Sequence, residues 1–105
     1  MSEQTTAEPI IVDGRPVNYD AGELLPKHMR GAMMRYIENR IPPGSFLTAV
    51  LANDLMHALR CADDINSRRL RDYGMWLANY APPACYGSPE AVRAWLTNRA
   101  RVAAE

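Results

Sequence analysis

Cysteine is scarce, lysine nearly absent and net charge missing altogether from this chain of 105 residues. Two cysteines, Cys61 and Cys85, are too few for a disulfide framework, so the chain is expected to fold on an apolar core with both thiols reduced. Lys27 is the sole lysine, and every other basic residue is arginine. Twelve basic side chains balance twelve acidic ones, so bulk charge offers no field steering the chain toward nucleic acid or an anionic membrane. No apolar run approaches the roughly 20 residues that a bilayer-spanning helix needs. The opening "MSEQTTAEPI" has neither the basic n-region nor the apolar h-region of a secretory signal. There is no internal repeat and no low-complexity tract. What is present, 48% hydrophobic and 23% charged residues, is the composition of a globular domain. The length suffices for one modest core in a cytoplasmic protein.

Along the chain, residues 1–9 read as a polar leader. In "IIVDGRPVNY", Asp13-Gly14 lies between two β-leaning runs and signals a hairpin, while Pro16 limits the second run to an edge. An extended arm is the alternative. Residues 1–20 are thus expected to form an N-terminal arm or small hairpin, and 21–105 a helical domain.

The first helix is expected over 25–39, with Pro26 in the first turn. Leu25, Met29, Ala32, Met33, Tyr36 and Ile37 recur at three- and four-residue steps and form one apolar stripe. Met34 falls outside it, which marks a candidate contact residue. The double proline of "IPPG" ends the helix. Ser45 is the expected N-cap of a second helix over 46–61. Leu47, Leu51, Leu55, Ala58 and Leu59 share one arc of it, and Phe46, Ala49 and Val50 make its first half apolar all round, as in a buried helix. Asn53, Asp54 and His57 follow on the opposite arc. They are expected to be partly buried polar anchors that hold a loop or an arginine.

A third helix is expected over 64–80, capped by Asp63 or Asp64, with a stripe of Ile65, Leu70, Tyr73, Leu77 and Tyr80. Pro82-Pro83 stops it. A fourth opens with Ser88 as N-cap, Pro89 and Glu90, and buries Val92, Trp95, Leu96 and Val102. Arg99 interrupts that face, and the chain is expected to fray after Arg101. The architecture expected is mainly α, a compact four-helix domain with a short N-terminal extension.

Four constellations bear on chemistry. Ser45, Asp54 and His57 have the residue types of a hydrolytic triad, but Ser45 reads as a cap and no nucleophile elbow surrounds it. His57 and Cys61, at i and i+4, could supply two metal ligands, with Asp64, Cys85 and His28 as the further donors. No CxxC, HxxxH or HExxH motif occurs, so a half-exposed histidine and a buried thiol are the plainer reading. Arg60, Arg68, Arg69 and Arg71, followed by Tyr73 and Trp76, have the mixture that binds phosphates and stacks bases. Asp63, Asp64 and Asp72 cancel much of that field and favour a solvated, salt-bridged face. The loop "NYAPPACYGSPE" joins rigid backbone to two tyrosines, as contact loops do, although Tyr80 and Tyr86 could equally complete the core.

The phrases "LPKHMRGAMMRYIE", "IPPGSFLTAVLANDL" and "NYAPPACYGSPEAVRAWL", in that order and spacing, carry a resemblance. Over about residues 24–97 the chain resembles a group of small proteins encoded by tailed bacteriophages and prophages of GC-rich proteobacteria. No catalytic residues come with that group. The resemblance implies a small accessory protein made inside an infected or lysogenic bacterium. The function expected is non-enzymatic, by contact with a host or phage protein such as a host defence component. It needs no cofactor or metal and would take place in the host bacterial cytoplasm. Met34, Arg68, Arg69, Trp76 and Tyr86 are the candidate interaction surface, and a homodimer through a face including Met34 or Trp76 is compatible with it. The alternative is a nucleic-acid-binding regulatory factor using the arginine-rich third helix.

Overall fold

The computed structural model describes residues 10–12 and 15–104, and the side chains of 11–12 and 16–97. The polar leader, the Asp13-Gly14 pair and the side chains of Arg99 and Val102 lie outside the described residues. Two short strands, β1 (Ile10–Val12) and β2 (Arg15–Val17), pair antiparallel with Ile10 opposite Val17 and Val12 opposite Arg15. Of the two readings of the N-terminal segment, the ribbon is the one adopted. With only two strands, both are edges, and Pro16 is tolerated there. The end of the ribbon is fastened to the core. Val17 is buried, the Asn18 carbonyl accepts from the Trp76 indole N–H at 3.0 Å, and the Tyr19 ring stacks on that indole at 5.7 Å.

Helix α1 (Lys27–Asn39) buries Met33, Tyr36 and Ile37 and leaves Met34 exposed, as its period requires. Pro26 sits just before the first turn. The helix closes on Arg40 in the left-handed region (φ 60°), whose N–H bonds back to the Tyr36 carbonyl at 3.1 Å. The Arg40 guanidinium lies 3.6 Å over the Trp95 ring, a cation–π contact that holds this uncommon conformation in place.

The helix expected over 46–61 is two helices, α2 (Ser45–Leu51) and α3 (Leu55–Cys61). Asn53 adopts φ 64°, its N–H bonds to the Val50 carbonyl at 3.1 Å, and the Asp54 N–H bonds to the Ala49 carbonyl at 2.9 Å. That pair of bonds is a Schellman close, in which asparagine is the usual residue after glycine. Asp54 then starts the next helix, its Oδ1 accepting from the His57 backbone N–H at 3.2 Å. The amide and the carboxylate are therefore the stop of one helix and the start of the next. Asn53, Asp54 and His57 are all exposed, which corrects the expectation of buried anchors. The stripe is corrected too. Leu47, Leu51 and Ala58 are buried, while the turn at Asn53 carries Leu55 and Leu59 out to solvent. At the other end of α2 the capping position falls on Gly44 (φ 94°), and Ser45 is the first helical residue, with no side-chain cap bond.

The third helix is also divided, into α4 (Asp64–Arg68) and α5 (Leu70–Tyr80), around Arg69 at φ −110°, ψ 13°. Asp63 is the cap of α4, accepting from the Asn66 N–H at 2.7 Å. Asn66 is buried and accepts the Tyr73 hydroxyl proton at 2.6 Å. Helix α5 buries Tyr73, Trp76 and Leu77, whereas Ile65 and Tyr80, both placed on the stripe by periodicity, are exposed. Helix α6 (Pro89–Ala104) is capped by Ser88, whose Oγ accepts from the Ala91 N–H at 3.0 Å. It continues to Ala104, past the point where fraying was expected. Trp95 is buried against α1, donating to the Tyr36 carbonyl at 3.0 Å. In the loop before α6, Ala81, Pro82 and Cys85 are buried and Tyr86 packs against the edge of the core, whereas the other tyrosine does not. The Cys85 carbonyl accepts from Tyr36 Oη at 2.7 Å, Tyr80 is exposed and Tyr86 is half-buried. The chain is thus mainly helical with a small N-terminal ribbon. Among the described residues, the two breaks turn four expected helices into six α-helices.

Candidate interaction groove

The turn at Asn53 and the division at Arg69 leave a groove between α3 and α5. Its wall on one side is Leu55 and Ala58 of α3, and on the other Leu70, Gly74 and Leu77 of α5. Val50 of α2 also lines it, and Asn53, Asp54, Tyr86 and Gly87 close one end. Its volume is about 340 Å³. The end is held by a backbone bond of 2.7 Å from the Gly87 N–H to the Leu51 carbonyl, which pins the loop before α6 to the end of α2.

Leu55, at the edge of this groove, is apolar and exposed, and further apolar side chains of α3 and α5 are also in water. Leu55, Met56 and Leu59 of α3 are 59%, 63% and 44% exposed, and Met75 of α5 is also exposed. Single exposed apolar residues are ordinary; Leu59 follows Leu55 by one helical turn, so the two form a short exposed apolar row, whereas Met56 and Met75 lie on other faces of their helices. Gly74 adds a second feature. It sits in the interior of α5, where glycine is about 1 kcal/mol less favourable than alanine. A Cβ at that position would meet nothing within 4 Å, so intramolecular packing does not demand glycine there. The missing side chain keeps that wall of the groove open to close approach.

The residues singled out from sequence distribute unevenly over this surface. Tyr86 lines the groove, and Met34 and Arg68 are exposed away from its lining. Trp76 is fully buried and is not a surface residue. Its indole is the joint between α5 and the N-terminal ribbon. Arg69 is committed internally, with Nε bonding Asp72 Oδ2 at 2.5 Å and Nη2 donating to the Glu23 and Leu24 carbonyls. Tyr73 and Trp76 are both buried, so neither of these two rings is open for bases to stack on. Burial also raises the phenols of Tyr73 and Tyr36, and of Tyr19, whose hydroxyl donates to Glu38 Oε2 at 2.9 Å.

Ser45, Asp54 and His57 do line a common shallow depression on the other side of α3. Their roles there differ from those of a triad. Asp54 Oδ1 is engaged by the His57 backbone, and the His57 ring presents Nε2 to Cys61 Sγ at 3.6 Å, one turn along the helix. Two of the five candidate metal donors, His57 and Cys61, thus come together. Cys85 is buried in the core, and His28 lies 3.9 Å from Asp63. Among the described residues no three His, Cys, Asp or Glu side chains converge on a metal-sized site. None of the described helices is long and apolar enough to cross a membrane.

Sequence reasoning missed Leu55, Leu59 and Gly74. The first two were hidden by assuming an unbroken helix, but a glycine in mid-helix was itself a readable signal. Comparison with protein-family models, with curated proteins and with solved structures returned no match.

Proposed function

We propose that this chain is a non-enzymatic accessory protein that acts by protein–protein contact, and that the α3–α5 groove is its contact surface. The observation that carries the reading is the exposed apolar row of Leu55 and Leu59 beside a groove with an otherwise unneeded Gly74 in its facing wall. A groove of this shape suits an apolar helical ridge, read through residues spaced three and four apart. The resemblance of the three phrases to small phage and prophage proteins supplies the setting, the cytoplasm of a bacterial host, with a host or phage protein as partner.

Affinity capture from bacterial lysate tests this, comparing wild type with Gly74→Leu and treating both with nuclease. The expected result is a protein retained after nuclease and lost with the filled groove. Equal retention by Gly74→Leu would place the contact elsewhere and refute the groove. Retention that disappears with nuclease would instead favour a nucleic-acid role for the exposed Arg60, Arg68 and Arg71.

A further inference from the structure

His57 and Cys61 carry chemistry that the groove does not use. They stand one turn apart on α3, and the imidazole presents Nε2 to Sγ at 3.6 Å. A thiol proton shared between the two atoms accounts for that distance, and so does a metal ion in the proton's place. Zinc holds a thiolate sulfur at about 2.3 Å and an imidazole nitrogen at about 2.0–2.1 Å, and at a tetrahedral angle those bonds set the two donors about 3.6 Å apart. Linear coordination by the same bonds would need about 4.3 Å. The pair therefore already has the separation of adjacent tetrahedral ligands. Access is open, since His57 is exposed and Cys61 half-buried. By helical period the pair lies on the flank of α3 opposite the Leu55–Leu59 row, so it does not depend on the groove. Helix α3 also stands to gain from an added tie. It is seven residues long, too short to be stable alone, and Ala58 is the one side chain it buries.

We propose that His57 Nε2 and Cys61 Sγ chelate a divalent cation of the zinc class across the last turn of α3, with water in the two remaining positions. The thiol gives its proton to solvent as the Sγ–metal bond forms. The imidazole binds neutral through Nε2 and keeps its proton on Nδ1, so each ion bound releases one proton. No third His, Cys, Asp or Glu converges there among the described residues, which makes this an open, exchangeable site unlike a closed structural zinc. The bound ion closes a ring over one helical turn and holds α3 against unwinding.

Cobalt(II), a coloured substitute for zinc, is the probe, titrated into the reduced full chain. Thiolate-to-cobalt charge-transfer absorption should appear, saturate at one ion per chain and disappear when zinc displaces the cobalt. Cys61→Ser should abolish that absorption, and His57→Gln should weaken binding by about tenfold or more. Zinc should raise the melting temperature of wild type more than that of either variant. Serine nearly matches cysteine in shape and His57 is exposed, so both variants should keep the wild-type circular dichroism spectrum without metal. Absence of the absorption at saturating cobalt overturns the site. Absorption that survives Cys61→Ser, or equally tight binding by His57→Gln, overturns the chelate, the first by assigning the ion to Cys85 and the second by reducing the contact to a single thiolate.

Discussion

Replacing Gly74 with alanine should make this protein more stable. Glycine in a helix interior is less favourable than alanine by about 1 kcal/mol, through the backbone freedom it loses on folding. Elsewhere that gain can be offset when the new methyl collides with a neighbour, but at Gly74 a Cβ finds nothing within 4 Å. The full ~1 kcal/mol should therefore appear, which for a domain of this size corresponds to a rise of roughly 4–8 °C in melting temperature. The other glycines are internal controls. At Gly31 a Cβ would lie 3.1 Å from Arg35 Nη1, the far end of a flexible side chain, so Gly31→Ala should gain somewhat less. Gly44 and Gly87 have φ of 94° and 118°, where alanine is strained, so the same substitution should lower stability by about 1 kcal/mol or more. Circular dichroism melts at low protein concentration, where association does not add to the apparent stability, are the assay. A Gly74→Ala protein that melts at or below wild type would show that this glycine is required by the fold, removing the argument that it serves a contact.

Tyr73→Phe should cost about 1–3 kcal/mol, because it leaves the buried Asn66 amide oxygen without the donor it meets at 2.6 Å. A chemical denaturation midpoint equal to wild type would show that Asn66 finds another donor. Asp54→Ala should cost about 1 kcal/mol by uncapping α3, while Asp54→Asn, an equally good cap, should be near neutral in urea unfolding. Equal losses in the two variants would mean that the carboxylate charge, rather than the cap bond, is what matters. The burial that raises the Tyr19, Tyr36 and Tyr73 phenols also sets an alkaline limit. The fold holds the neutral forms, so their contribution is complete below the ordinary tyrosine value near pH 10. Above it the unfolded chain releases protons the fold retains, and stability falls by up to about 1.4 kcal/mol per pH unit for each phenol. Melting temperatures should be insensitive to these groups below that value and drop steeply above it. If ultraviolet titration shows all five tyrosines ionising while the chain stays folded, the burial argument fails.

The core of α1 and the start of α6 were legible because each is settled within one turn of sequence. The stripe of Met33, Tyr36 and Ile37 has a single period, and Ser88-Pro89-Glu90 is a complete start signal. The two breaks were not legible from period alone. Between Leu51 and Leu55 the apolar spacing continues at four residues, so a periodicity count passes straight through Asn53. Only the left-handed tolerance of asparagine followed by a capping aspartate marks the stop and restart. The burial of Trp76 depended on a partner 58 positions away, the Asn18 carbonyl, and no local pattern encodes that distance.

The misread turn and the candidate site share one cause. In a straight helix over 46–61, Leu55 and Leu59 would continue the buried arc of Leu47 and Leu51, and no apolar ridge would face water. The Schellman close at Asn53 rotates α3 out of that arc, exposing the leucines while Ala58 alone stays buried. The same close brings Asp54 to the end of the groove, beside the loop that Gly87 pins to Leu51. Surface leucines are a liability for a monomer, and a straight helix would have avoided them at no loss of backbone hydrogen bonding. The asparagine in a left-handed turn, the two exposed leucines and the glycine in the facing helix are the features on which the proposed contact at this ridge rests.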